Sequence, residues 1–540
     1  MPEVSSRFTR LFPWFMCLAL IIVGVSLSLT PIAPDDFWWH LRVGQLVMTE
    51  GIPTTNRFAW TVPATQPYVY GEWLGGYLLY LLYEYGGPAA PVIMRNLLGL
   101  LTMLLFARRC VQRTNSWLLS AGLVLAAGLL TSTNMALRPQ IWAWLPCMAF
   151  LWVVHPPPTT PVPTPSGRGS SDRLPQIPSW HQLLLLPPLM VFWVNVHGSF
   201  VLGLLILGVA VLGSIATPLR QRHPIPWRAL LPLVGCSLAC GCVTLLNPHG
   251  PGIYAYLWAI ATNPTIHAII QEWHPPMWNK PIGLSFYLSV ILISGASILR
   301  WRRLTITDEL LLMVFLALAL SAQRAVFWWA LVALPIFGQL VTPSVPTPDT
   351  ASRRRMRRQQ RQGINRMPPP LPATDVPRRH GIAMGSLLLL VFILVQPPLR
   401  SHLPLLALSR ESVIDVPGAP ASYSRDTPVR AVDYLRQHPL PGPIFNESGI
   451  GSYLIWAVGE RLPVFIDPRV ELFPPALWHD YMTISRGAQL DELLITKYQV
   501  TRVILNRDYQ EGLAVRIATN PHWVLEYSDG LTDIYRRVTP

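Results

Sequence analysis

Charged side chains are scarce in this 540-residue sequence. They make up 13% of it, where an ordinary soluble domain has about 25%, and 51% of the residues are hydrophobic. Lysine is almost missing, since Lys280 and Lys497 are the two in the chain. The deficit extends over most of the length, so a single anchor does not explain it. The composition therefore predicts a polytopic integral membrane protein.

Other signatures are missing too. None of the six cysteines lies after residue 242, so the C-terminal part is not a disulfide scaffold. No glycine-rich phosphate-binding fingerprint is present, which is consistent with chemistry that needs no nucleotide-binding loop. The net charge of +14 is concentrated between apolar runs and does not indicate a nucleic-acid partner.

A helix needs about 20 apolar residues to cross the hydrocarbon core of a bilayer. Apolar runs predict about eleven transmembrane helices, with the first span interpreted as a retained anchor rather than a signal peptide. The predicted spans are 11–30, 89–107, 117–133, 139–154, 182–197, 200–217, 228–246, 284–299, 308–323, 325–341 and 381–397.

Arginine positions predict the orientation through the positive-inside rule. With the N-terminus in the cytoplasm, all the arginine-rich loops fall on the same side. They are 108–116, 155–181, 218–228, 300–307 and the basic loop 342–380. Residues 1–397 then form a transmembrane domain in the inner (plasma) membrane, and 398–540 lie outside the cytoplasm.

Residues 398–540 have the composition of a small soluble α/β domain. Apolar runs at 464–466 and 502–505 predict buried strands, and helices are predicted near 428–438, 474–485 and 488–497. Alternation along the first strand places Asp467, Arg469 and Glu471 on one face. They form either a surface ion pair or part of an acceptor-binding surface.

The predicted outer loops carry the polar residues that suit chemistry. Polar groups at bilayer depth are costly unless they face one another or a water-filled cavity, so five such loops predict one outer cavity. The large first outer loop, 31–88, opens with Asp35 and Asp36. Adjacent carboxylates suit general-base work or a divalent cation such as Mg²⁺ or Mn²⁺, although capping of a helix N-terminus is the alternative.

The remaining candidates each have a structural alternative. His40 shares a helical face with Asp36, and Arg138 and Arg324 suit phosphate binding unless they reach to lipid headgroups. Glu72 and Glu272 each precede a tryptophan, as on sugar-binding surfaces and at membrane interfaces. His197 and Asn247 lie in polar turns that also suit a structural role. The full set of predicted substrate-binding residues is His40, Arg42, Glu72, Arg138, His197, Asn247, Glu272 and Arg324.

Several motifs together resemble the GT-C superfamily of glycosyltransferases, and in detail a bacterial group within or beside it. The motifs are Asp36-Phe-Trp-Trp-His40-Leu-Arg42-Val-Gly44, Gly71-Glu72-Trp73-Leu74, Leu137-Arg138-Pro139-Gln140, Asn195-Val-His197-Gly198, Asn247-Pro248-His249-Gly250, Glu272-Trp273 and Phe465-Ile-Asp467-Pro-Arg469-Val-Glu471. The resemblance spans nearly the whole chain, and the Asp-Asp pair replaces the commoner Asp-Glu form.

This resemblance implies a polyprenyl-phosphate-linked sugar donor in the membrane and an extracytoplasmic glycan, lipid or protein acceptor. It implies that Asp36, with Asp35, is the base or metal ligand, and that Arg138 and Arg324 contact the donor phosphate. Two other classes fit the sequence. A transporter or flippase of a lipid-linked precursor would place charges at mid-span, and a non-catalytic scaffold would tolerate loss of the outer acids.

Overall fold

A computed structural model of the chain describes residues 11–157, 178–342, 378–400, 420 and 422–538. Most of the predicted basic loop 342–380 and residues 401–419 of the predicted outer domain lie outside these ranges. Within them the chain is mostly helical, with a small sheet near the C-terminus.

Each predicted span coincides with a helix, and five helices are long and apolar enough to cross a membrane. These are Ala89–Thr114, Phe200–Arg220, Trp227–Leu246, Pro281–Leu299 and Gln323–Val341. Other spans coincide with shorter helices, so the count of eleven stays a prediction. The α-helices before residue 400 are α1 (Phe12–Ser28), α2 (Asp36–Thr49), α3 (Trp73–Gly86), α4 (Ala89–Thr114), α5 (Trp117–Thr131), α6 (Trp144–Val154), α7 (Trp180–Leu183), α8 (Leu186–Val196), α9 (Phe200–Arg220), α10 (Trp227–Val243), α11 (Gly252–Thr262), α12 (Pro264–Ile269), α13 (Pro281–Leu299), α14 (Ile306–Ser321), α15 (Val326–Val341), α16 (Arg378–Leu394) and α17 (Pro397–Arg400).

Helices α2 and α3 of the first outer loop pack closely along each other. A Cβ atom at Gly44 would lie 2.4 Å from the carbonyl oxygen of Gly76, and one at Gly76 would lie 2.8 Å from that of His40. Glycine at both positions therefore allows the two backbones to approach. This approach sets the distance between the start of α2 and the residue that precedes α3, Glu72.

The C-terminal part is a mixed four-stranded sheet with helices around it. The strands lie in the order β1-β2-β4-β3, with β1 parallel to β2 and the other pairs antiparallel. The elements are α18 (Val429–Gln437), β1 (Ile444–Asn446), α19 (Ser448–Ala457), α20 (Pro475–Ser485), a π-helix (Asp491–Lys497), β2 (Arg502–Asn506), α21 (Glu511–Ile517), β3 (Trp523–Ser528) and β4 (Thr532–Arg537).

The predicted helices near 428–438 and 474–485 are confirmed, as is the strand at 502–505. The predicted strand at 464–466 is wrong. Residue Val464 makes a single parallel bridge to Ala59 instead, and Asp467 and Arg469 lie in the turn that follows. The apolar run is buried because it packs between the C-terminal domain and the first outer loop, not because it belongs to the sheet.

The C-terminal domain is attached to the first outer loop through backbone pairing. Ile32 donates to the carbonyl of Ser422 at 2.8 Å, and Val464 donates to that of Phe58 at 2.9 Å. Trp38, fully buried, packs edge-on against Tyr423 and Tyr453 with ring centroids 4.9 Å apart. These contacts fix the domain against the first outer loop.

Candidate functional site

A cavity of about 840 Å³ lies between the outer loops and the C-terminal domain. It brings together most of the acids, arginines and histidines that the sequence singles out. From that set it is lined by Asp35, Asp36, His40, Glu72, Arg138, His197, Glu272 and Arg324. The C-terminal domain contributes Glu447, Arg469, Glu471 and Tyr481.

Arg138 is surrounded by carboxylates from two other loops. Its Nη1 lies 2.9 Å from Glu272 Oε1, its Nε lies 3.3 Å from Asp36 Oδ2, and its Nη2 lies 3.9 Å from Asp35 Oδ2. Trp39 donates to the other Asp36 oxygen at 3.4 Å. Asp35 stands at the N-terminus of α2 but makes no side-chain cap hydrogen bond, so capping alone does not account for the acidic pair.

Glu72 faces two histidines and a backbone amide. Its Oε1 lies 3.4 Å from His197 Nε2 and accepts from the Gly198 N–H at 3.4 Å, while its Oε2 lies 3.7 Å from His40 Nε2. Sequence spacing suggested that His40 pairs with Asp36. The structure instead turns the imidazole toward Glu72 and stacks it on Trp39 at 3.6 Å.

Burial determines the protonation of this group. It raises the pKa of Glu72 to about 7, against the lowering effects of the Gly198 N–H and the Arg324 charge. Burial also lowers the pKa of His40 to about 3, with Arg138 and Arg469 acting in the same direction, and lowers the pKa of His197. The side chain of Glu72 is 29% exposed, and the exposed part lines the cavity rather than the outer surface.

The tautomer of His197 follows from its neighbours. Its Nδ1 lies 3.0 Å from the backbone N–H of Ser199, which can only donate. In the neutral ring the proton therefore sits on Nε2, which faces Glu72. An ionised Glu72 is thus met by two N–H donors, one from Gly198 and one from this ring.

Arg324 differs from Arg138 in its partners. Its guanidinium carbon lies 4.8 Å from the centre of the Trp273 ring. Over the described ranges, no carboxylate oxygen comes within 4.0 Å of its nitrogens, whereas three carboxylates do so for Arg138. A cation stacked on an indole and facing a cavity keeps its donors available for an anionic ligand.

Two predicted binding residues lie outside the cavity lining. Arg42 donates to Gln45 at 2.5 Å and lies beside Gly459 of the C-terminal domain. Asn247 is buried, and its amide donates to the carbonyls of Gly71 and Val194. The binding roles of both stay predictions, and these contacts favour a structural role for each.

The Asp467–Arg469 pair is not a surface ion pair, as one sequence interpretation held. Both side chains have no exposed surface, with Nη2 and Oδ2 2.7 Å apart. Arg469 also donates to Tyr70 at 3.1 Å, and its guanidinium carbon lies 5.0 Å from the Phe58 ring centre. Alternating charges along an apolar run give no signal of burial against another domain, so sequence reasoning missed this contact.

Glu471, which the sequence placed on one face with Asp467 and Arg469, forms a further part of the wall together with two tyrosines that the sequence did not indicate. Tyr68 of the first outer loop and Tyr256 of α11 donate to the same Glu471 oxygen, at 2.7 and 2.8 Å. This links three separate parts of the chain around one carboxylate.

The acidic residues do not fit a divalent metal in this arrangement. In the described ranges, no group of three or more His, Cys, Asp or Glu side chains is placed to hold one. Asp35, Asp36 and Glu272 come nearest, and the Arg138 guanidinium lies between them.

No protein-family model matches the sequence, and no significant match is found among curated proteins. Solved structures do resemble the fold. The archaeal oligosaccharyltransferase AglB from Archaeoglobus fulgidus, in complex with an inhibitory peptide and a dolichol-phosphate, aligns with a TM-score of 0.50 at 11% identity over 98% of this chain and 75% of that one. ArnT from Cupriavidus metallidurans in the apo state aligns with a TM-score of 0.45 at 14% identity over 97% of both chains.

The likeness to AglB shows that the chain has a GT-C-like fold. This fold and the apolar helices together place the protein in a membrane.

Proposed function

We propose that the protein is a membrane glycosyltransferase that transfers a sugar from a polyprenyl-phosphate donor to an extracytoplasmic glycan, lipid or protein acceptor. The observation that carries this proposal is the cavity itself. In a GT-C-like fold, its wall holds both Arg324, which has no carboxylate partner among the described residues, and an unusually basic carboxylate, Glu72. A dolichol-phosphate is bound in the AglB structure, which is consistent with a lipid-linked donor here.

Arg324 is the better phosphate contact of the two predicted arginines. Arg138 already faces Asp35, Asp36 and Glu272, so its charge is more than neutralised. Arg324 is oriented by the Trp273 ring and can offer a forked pair of donors to the phosphate. Contact with lipid headgroups was the structural alternative for Arg324. Because Arg324 lies in the cavity wall, its position supports the catalytic interpretation.

Two carboxylates are candidates for the proton acceptor. The resemblance implied Asp36, but its two carboxylate oxygens already face Arg138 and Trp39. Glu72 faces neutral imidazoles and no cation within 4.0 Å in the described ranges, and its pKa is raised to about 7. A general base works best with a pKa near the working pH, so we assign this role to Glu72.

The reaction then balances without a nucleotide. The acceptor hydroxyl oxygen bonds to the anomeric carbon while the bond from that carbon to the phosphate oxygen breaks. The hydroxyl proton passes to Glu72, and the electron pair leaves with the polyprenyl phosphate, whose charge Arg324 stabilises. Attack opposite to the leaving phosphate inverts the anomeric configuration. Asp36 serves to hold Arg138 and the loops around it.

The proposal includes a topology. The cavity and residues 398–540 face the outside of the inner (plasma) membrane, and the arginine-rich loops face the cytoplasm. This orientation continues to rest on the positive-inside pattern of the sequence.

Mass spectrometry of lipid-linked sugars and surface glycans in host cells tests the proposal. The comparison includes the intact gene, its deletion, and Arg324→Ala. The matched control is Arg302→Ala, because Arg302 also lies over an indole ring, 5.5 Å from Trp301, but outside the cavity. Deletion and Arg324→Ala are expected to accumulate one polyprenyl-phosphate sugar and to lose one glycan, while the control does neither.

Other outcomes would redirect the assignment. If deletion changes the glycans but Arg324→Ala, at normal membrane abundance, does not, a flippase or a scaffold subunit becomes the better account. If deletion leaves both pools unchanged, the glycosyltransferase assignment fails.

A further inference from the structure

The group around Arg138 has the composition of a divalent metal site with a guanidinium at its centre. Three carboxylates from two segments converge there: Asp35 and Asp36 from the first outer loop, and Glu272 from the segment between α12 and α13. Both oxygens of Glu272 lie 2.9 Å from Nη1. Carboxylate oxygens are the ligands that Mg²⁺ and other hard cations prefer.

We propose that the side chain of Arg138 takes the place of a divalent metal ion in this site, so that the cation is supplied by the chain itself. This inference rests on the proposed function for its catalytic meaning, but the site can be tested without any sugar substrate. The guanidinium joins the segment between α5 and α6 to the first outer loop and to the segment between α12 and α13. A metal ion held by the same carboxylates would join only the last two.

Occupied oxygen atoms, and not charge, explain why metal and guanidinium exclude each other. Three carboxylates around Arg138 leave a formal net charge of −2, which would itself attract a divalent cation. Glu272 uses both oxygens on Arg138, and Asp36 has its second oxygen occupied by Trp39. An entering ion would have to displace the guanidinium and leave it partly buried without its partners, which is costly.

The backbone also holds Arg138 in this position. It has extended dihedral angles, φ −140° and ψ 163°, directly before Pro139. A residue before proline disfavours the helical region, which limits the directions open to the Cα–Cβ bond of Arg138. The ion pairs with the three carboxylates hold the guanidinium at the far end of the side chain, which is 22% exposed toward the cavity.

Electron paramagnetic resonance of Mn²⁺ with the purified full-length protein in detergent tests this proposal. Wild type and an Arg324→Ala control are expected to leave added Mn²⁺ free. Arg138→Ala is expected to bind one Mn²⁺ with a dissociation constant below about 1 mM, as weak carboxylate sites do. Arg138→Ala combined with Glu272→Gln is expected to lose that binding.

Two results would overturn the proposal. One is a wild-type protein that binds Mn²⁺ at a site removed by Asp36→Asn, since the ion would then displace the guanidinium. The other is an Arg138→Ala protein that elutes as a monodisperse species but binds no Mn²⁺. Mn²⁺ binding by the wild type would count against the proposal even if Arg138→Ala does not fold. Because no sugar is present, these results are independent of whether the protein transfers one.

Discussion

Replacement of Glu72 by glutamine is the substitution from which we expect the largest loss of activity. The change keeps the shape of the side chain but removes the group that accepts the acceptor's proton. General-base catalysis contributes about 10²- to 10⁴-fold, so kcat is expected to fall by that factor. KM for the lipid-linked donor is expected to change little, because Arg324 and not Glu72 contacts the phosphate in the proposed arrangement.

The pH dependence gives the sharper signature. With a pKa of about 7, Glu72 is mostly protonated at pH 6 and mostly ionised at pH 8, so the rate rises about tenfold between them. Glu72→Gln removes this rise, and Glu72→Asp restores part of it. The charge of Asp36 raises the pKa of Glu72, so Asp36→Asn should move the rise to lower pH without abolishing it.

The assay uses purified full-length protein and labelled lipid-linked sugars extracted from deletion cells. Initial rates are measured from pH 5.5 to 9 for the wild type and the three variants. The assignment is refuted if the rise near pH 7 persists in Glu72→Gln, and Asp36 becomes the base if Asp36→Asn alone removes it.

Three further predictions concern binding and stability. Arg324→Ala should raise KM for the donor about 10- to 100-fold, because charge-assisted hydrogen bonds contribute about 1.5–3 kcal/mol to binding. Its effect on the melting temperature should be smaller. An unchanged KM in the same assay would exclude the phosphate contact. Asp467→Asn leaves a buried arginine without its partner and should lower the free energy of unfolding by about 3–5 kcal/mol, measured by thermal unfolding. Asp433→Asn, at an exposed pair, should lower it by less than about 1 kcal/mol. Equal effects would contradict the buried pairing. Gly44→Ala should lower the melting temperature and the activity because its methyl group would meet the backbone of α3. The added methyl group of Gly24→Ala would meet no atom within 4 Å, so that variant should change neither. A stable, active Gly44→Ala protein would mean that the helices can separate without cost.

The sequence predicts the helices well because apolar runs leave few alternatives to a helix at bilayer depth. It also predicts that outer-loop polar residues meet, since the arginine pattern places their loops on one side. Asp36, Arg138 and Glu272 come from loops far apart in sequence yet lie within hydrogen-bonding or ion-pair distance. The assignment of their loops to one side of the membrane was sufficient to expect that these residues share a cavity.

The pairing inside the cavity could not be read from the sequence. Helical spacing placed His40 beside Asp36, but the close packing of α2 and α3 at Gly44 brings Glu72 to the imidazole instead. Which partner a side chain meets depends on how two helices dock, and a single helix's periodicity contains no information on that.

Docking also explains the errors in the C-terminal domain. The apolar run at 464–466 resembles a strand, but its burial comes from the first outer loop, where Val464 pairs with the backbone at Phe58. The same contact buries Asp467 and Arg469. Residue patterns within one domain report that a segment is buried without reporting what covers it.

The central claim is sugar transfer from a lipid-linked donor in the cavity, and direct transfer by the purified protein tests it most closely. The protein in lipid nanodiscs is incubated with labelled lipid-linked sugars and membrane glycans from deletion cells. We predict release of polyprenyl phosphate together with label in one glycan, both lost in Glu72→Gln. The account is contradicted if deletion cells accumulate the lipid-linked sugar but the wild-type protein leaves the label on that lipid.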